Sequence, residues 1–225
     1  MSQPASAAAP SPAPGPQDAP PTAYCRAVVG VVAYSRTVAC TRYAKDADKA
    51  PPMGARVALM RMSAAAVAGY DRVAEAAAAQ RVDASAQAQH FVGSLGGFDE
   101  RLRPADWPER MVKTYLAFGL LIDFCTALAD GLPEPLRGAL LEELADERLG
   151  PLASHELVPA IDADAQLAAR LGLWGRRVVG EEMGMLVRLL GHHPELAGGA
   201  ASAELLHQVL SQGAVDRMQG LGLRG

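Results

Sequence analysis

Arg36, Asp123 and Glu182 each interrupt an apolar stripe at helical spacing. The neighbours of Arg36 on such a stripe are Val29, Val32, Ala33, Cys40 and Tyr43. Those of Asp123 are Leu116, Gly119, Leu120, Thr126 and Ala127, and those of Glu182 are Val178, Val179, Met185, Leu186 and Leu189. An isolated buried charge is costly, so an inward cation and two inward carboxylates are expected to meet in one ion-pair and hydrogen-bond network. Bordering a cavity, the same groups would supply general acid/base or electrostatic catalysis. They are the leading candidate catalytic residues, with Asp146 and Glu181 as further candidates.

Each has an alternative reading. Arg36 is either a structural ion-pair partner or a donor to a substrate carboxylate or carbonyl, and Asp123 is either part of that network or a proton-transfer group. Asp146 shares a helical face with Glu142 and Glu143, which leaves surface and core positions both open. Glu181 and Glu182 have Arg177 and Arg188 within reach along the helix. Small residues at inward positions, Ala33, Ala66, Gly69 and Gly119, favour a cavity, which Tyr34 and Tyr70 either border or fill as core tyrosines with satisfied hydroxyls.

Other chemistry is thinly represented. One Glu-x-x-His occurs, Glu204 to His207, but a single pair is common by chance and a di-metal site needs partners on other helices. His192 and His193 follow Gly191 and read as a helix-end feature. Cys25, Cys40 and Cys125 form no Cys-x-x-Cys pair and are expected to be buried reduced thiols. No Ser-His-Asp order or glycine-rich phosphate loop stands out. No cofactor and no metal are expected.

The elements that must position these residues are helical. The 225 residues are 50% hydrophobic but only 5% aromatic, which suits Ala/Leu-rich helices in one domain. Residues 1–21 form a Pro/Ala/Ser tract expected to be a disordered tail, leaving 22–225 as the folded domain. Thr22 caps an expected helix to about Asp48, Pro51 and Pro52 stop it, and a second runs from about Gly54 to Gln80. A long crossover containing Gly96 and Gly97 follows. Asp106-Trp107-Pro108-Glu109 reads as the start of a third helix to about Asp130. A fourth is expected from Pro133 to Leu149, broken at Gly150-Pro151, a fifth from Asp164 to Leu190, and a sixth from Ala201 to Gln219. The expected fold is all-α: a ferritin-like four-helix bundle with two additional C-terminal helices.

The segments VVAYSRTVACTRYAKDA, ALMRMSAAAVAGYDRV, VKTYLAFGLLIDFCTAL, LEELADERLG and LGLWGRRVVGEEM, with the terminal DRMQGLGL, resemble actinobacterial ferritin-like proteins related to the tRNA 2-methylthio-N6-isopentenyladenosine hydroxylases. The resemblance implies a di-iron centre built from one carboxylate on each of two helices and a carboxylate plus a His three residues later on each of the other two. Carried over, those positions hold Arg36, then Ala66 and Gly69, then Asp123, then Asp146 and Leu149. Both histidines and two carboxylates are missing, and Arg36 replaces a ligand with a cation. A divergent member with a degenerate metal site is the implied reading.

Net charge is −4 with a pI near 5.7, which offers no overall basic footprint for nucleic acid. With neither an export signal nor an uninterrupted apolar run of membrane length, a cytoplasmic protein without membrane association is expected. Three functions follow. The favoured one is a metal-independent bundle binding an apolar small molecule, as a cofactor-free acid/base enzyme of secondary metabolism that performs cyclisation, isomerisation or dehydration. The others are a non-catalytic scaffold or partner protein, and a tRNA hydroxylase with an altered metal site. A dimer is compatible with all three.

Overall fold

The computed structural model describes residues 21–95, 101–199 and 201–223. The expected tail at 1–21 lies almost wholly outside the described residues, as do Gly96 and Gly97. Helix α1 spans Ala23–Lys49 and α2 Met53–Ala79, packed as an antiparallel hairpin across the Pro51-Pro52 turn. Thr22 caps α1 as expected, its side chain accepting from Cys25 N at 3.0 Å. After α2, Arg81 takes a left-handed φ of 59° and turns the chain, the job a glycine more often does.

Part of the crossover is itself ordered. Asp83 caps a short helix, α3 (Ala84–Gln89), whose Ala84 and Ala88, with Phe91 just beyond, pack into the core beside α1. Asp106 then starts α4 (Trp107–Ala129): Asp106 Oδ1 accepts from Glu109 N at 2.9 Å, while Glu109 Oε2 accepts from Ala105 N at 2.7 Å. The reciprocal acid bond therefore reaches one residue further back than in the capping box.

Helix α4 is apolar nearly all round because it is the hub, packed against α1 and every later α-helix. Among the described residues it is the one helix long and apolar enough to cross a membrane, and 72% of that stretch is buried inside the bundle.

The fourth helix departs from expectation. It stops early as α5 (Leu136–Leu144), residues 145–148 are non-helical, and α6 (Leu149–Ala163) begins before Gly150-Pro151. Pro151 thus lies in the first turn of α6, where its missing N–H has no intrahelical partner to lose. Asp164 caps α7 (Ala165–His192), which His193 closes. A 3₁₀ turn, Pro194–Gly198, leads to α8 (Ala203–Gly220). The described residues form an all-α bundle of the ferritin-like kind, with α7 and α8 added against α4.

Candidate functional site

The three inward candidates do not form the single expected network. Arg36 and Asp123 take different partners, both of which escaped the sequence reading, and Glu182 lies apart from either pair.

Arg36 is 5% exposed and lies 3.6 Å from Glu143 on α5, one turn before Asp146. Arg72 of α2 holds the other oxygen of the same carboxylate, donating from Nε at 2.9 Å and Nη2 at 2.6 Å. Gly69 makes this possible, because a Cβ there would fall on Glu143 Oε1. The volume given up on α2 is therefore occupied by a carboxylate rather than left as a cavity beside Arg36. Ala66 is buried on the same face, and Tyr70 packs half-buried against the core. Sequence spacing put Glu143 on one helical face with Glu142 and Asp146 and left surface and core positions both open. The signal that could have found it was the pairing of an inward Arg36 with a glycine opposite.

Asp123 is held instead by Arg217 of α8, with Nη1 donating at 2.6 Å and Nη2 at 2.8 Å. A Cβ at Gly119 would strike the Arg217 guanidinium, and one at Gly213 would strike Asp123 Oδ2, so two glycines clear room for the pair. The pair is about one-fifth exposed and faces a cleft of about 500 Å³ that Gly119, Tyr115 and Asp146 also line. Asp146 sits off the helix, paired with Arg148, whose hydrogen bond pulls the Asp146 carboxyl below the usual range despite partial burial.

Glu182 is 2% exposed on the apolar stripe of α7 between Val178 and Leu186. Its carboxyl lines a chamber of about 30 Å³ with Val38, Arg42, Lys113, Thr114, Phe118 and Met185. That is room enough for a water molecule. Burial pushes the Glu182 carboxyl up to about 8, opposed by the charges of Arg42 and Lys113. Lys113 Nζ donates to Leu102 O at 2.6 Å. Val38, Arg42 and Leu95 line both this chamber and a groove of about 350 Å³ along α1, where Tyr34 and Lys45 also sit. The Tyr34 hydroxyl accepts from Gly93 N at 3.0 Å. Glu181, one residue away, lies at the surface and pairs with Arg101 at 2.7 Å rather than with Arg177 or Arg188.

The sequence reading also missed Asp46, fully buried and bound by Thr114 Oγ1 at 2.5 Å and Arg110 Nη1 at 3.0 Å. Asp46 lies at the polar end of α1, next to Lys45, Asp48 and Lys49, which hid its burial. Burial pushes the Cys125 thiol up to about 12, with Arg36 and a Ser35 hydrogen bond acting in the opposite direction. Cys25 is buried as expected, whereas Cys40 is half-buried. Glu204 and His207 are both exposed on α8, and His193 stacks on Phe91 with ring centroids 4.3 Å apart.

The residues at the bundle centre do not fit a pair of iron ions. Arg36 stands where the resemblance would put the first ligand, Asp123 is engaged by the Arg217 guanidinium, and Glu143 by those of Arg36 and Arg72. Among the described residues no three His, Cys, Asp or Glu side chains gather in a metal-holding group.

Fold and site together define a ferritin-like helical bundle in which arginine–carboxylate pairs occupy the interior. A family model described as a ferritin-like domain of actinomycetes matches residues 22–199, and the chain belongs to that family. No curated protein matches the chain.

Proposed function

We propose that this protein is a metal-independent member of its family that binds an apolar small molecule in the α1 groove and uses Glu182 for proton transfer. The observation that carries the reading is a buried carboxyl that faces a small chamber beside the α1 groove, with Arg42 and Lys113 also lining that chamber. A group raised to about 8 is mostly neutral near pH 7, and is close enough to that pH to act as acid and then as base. The neutral carboxyl gives its proton to a substrate atom, and the carboxylate left behind, near Arg42 and Lys113, takes a proton from an adjacent carbon. The net change is an isomerisation, with no oxidant or reductant consumed. Arg36 and Asp123 then serve as structural ion pairs, and their catalytic candidacy passes to Glu182.

A second reading, a non-catalytic scaffold, is favoured by the filling of the Gly69 notch by Glu143. Cytoplasmic residence and a role in secondary metabolism belong to the first reading as expectations. The tRNA hydroxylase relationship rests on segment resemblance, and its di-iron chemistry is disfavoured by Arg36 at one carried-over ligand position and by the absence of both histidines.

The test is a thermal-shift screen of apolar carbonyl and alkene compounds, followed by mass spectrometry of solvent deuterium entering any ligand found. Incorporation is expected with the parent protein and lost in Glu182→Gln, while Val38→Trp abolishes binding by plugging the groove. Equal incorporation by Glu182→Gln, or ligands that ignore Val38→Trp, would remove Glu182 from the role. Elemental analysis after growth with iron, manganese and zinc should find no stoichiometric metal, and near-stoichiometric iron would end the metal-independent reading.

A further inference from the structure

The face of α2 turned away from the bundle carries Met53, Met60 and Val67, which are 69%, 59% and 50% exposed. Their spacing of seven keeps them in one line, Ala64, Asp71 and Ala78 are exposed along it, and Ala74, partly buried against the core, lies at its edge. The buried residues of the same helix, including Leu59, Ala66 and Val73, lie on the opposite side. This is an apolar seam about 38 Å long at 1.5 Å per residue, flanked by a groove of about 460 Å³ where α2 meets Ala44 and Ala47 of α1. A seam of this kind on a solvent-facing helix marks an interaction surface.

Two features of α2 say what covers it. Side-chain size is graded along the seam, with Met53, Met60 and Val67 in the first part and Ala74 and Ala78 in the last. Charge is graded too: exposed Arg61 and exposed Asp71 form no ion pair or side-chain hydrogen bond with any described residue, and they lie equally far along the helix from Ala66.

We infer that a second copy of this chain docks on the seam, with the two α2 helices antiparallel about a two-fold axis at the level of Ala66. In that register each Arg61 comes level with the partner's Asp71, Met53 meets the partner's Ala78, and Met60 packs between the partner's Val67 and Ala74. Bulky residues meet small ones and opposite charges meet, at two symmetric places at once. A parallel pairing would set Met against Met and Arg61 against Arg61. Exposed ion pairs add little affinity, so the charges serve to select register and direction.

Sedimentation equilibrium of the full chain tests this. The parent is expected to be a dimer, and Met60→Glu with Val67→Glu should give a monomer whose circular dichroism is unchanged. Arg61→Asp and Asp71→Arg should each weaken the dimer at least tenfold, since each change acts twice, and the double variant should recover most of the loss. Cysteines introduced by Arg61→Cys in one preparation and Asp71→Cys in another should cross-link when mixed, more than either does alone. A chain that stays monomeric at every concentration, a dimer indifferent to these changes, or self-linking of Arg61→Cys alone would overturn the proposal. So would cross-linking of residues 1–20 to α2 of the same chain.

Discussion

A Cβ at position 69, where Gly69 stands, would fall on Glu143 Oε1, so a side chain there would displace the Glu143 carboxylate from the place it holds in the bundle interior. Glycine inside α2 costs about 1 kcal/mol relative to alanine, so its presence there is offset by the Arg36–Glu143–Arg72 cluster it admits.

The first prediction is a reversal of sign. Gly69→Ala should destabilise the parent, since it drives a buried carboxylate off two guanidinium groups. In a Glu143→Ala background the same change should stabilise by about 1 kcal/mol. Urea denaturation of the four proteins measures the coupling, and additive effects would show that Glu143 does not occupy the notch.

Arg36→Glu places a carboxylate beside Glu143, with both side chains only 6% exposed in the parent. The expected loss is about 3–5 kcal/mol, the range for leaving a buried charge uncompensated. Arg36→Met should cost less, because Arg72 still holds Glu143 Oε2. If the two variants were equally stable, the central charge cluster would be wrong.

Glu182 makes stability depend on pH. Its folded-state value is raised to about 8 from an ordinary 4.5, so between those values the folded chain binds a proton that the unfolded chain has released. Stability therefore falls as pH rises from about 4.5 to 8, by an amount on the order of 5 kcal/mol, and this contribution is flat above and below. Glu182→Gln should remove that slope in denaturation curves taken across the range. An unchanged slope would assign it to other groups.

The Asp123–Arg217 pair is partly open to its cleft, so its loss should cost only about 1 kcal/mol. Arg217→Lys should not restore it, because one ammonium cannot match two parallel donors. Gly119→Ala should cost nothing further once Arg217→Ala has removed the guanidinium it would strike. Denaturation midpoints of these three variants and the Gly119→Ala/Arg217→Ala double variant test the arrangement.

Much of the fold could be read from local chemistry. Thr22, Asp106 and Asp164 cap helices because a short polar side chain before an apolar period can satisfy free backbone N–H groups. Pro51 and Pro52 separate two helices because they cannot continue one. The inward positions of Arg36 and Glu182 followed from helical spacing, and both are buried. The end of α5 was misjudged because Gly150-Pro151 looks like a breaker, whereas the first turn of a helix tolerates both residues.

The pairing of charges lay beyond the sequence. Periodicity says which side of a helix a residue occupies, but not which residue stands opposite on another helix or at what height. Arg36 meets Glu143, and Asp123 meets Arg217, across sequence separations of 107 and 94 residues. Those meetings depend on the height and rotation of packed helices and on which glycines let them approach. The sequence by itself determined that charged residues are buried in an all-α bundle. Only the tertiary structure decided that they form separate arginine–carboxylate pairs and leave Glu182 facing a chamber, because close packing admits one arrangement of side chains at each crossing.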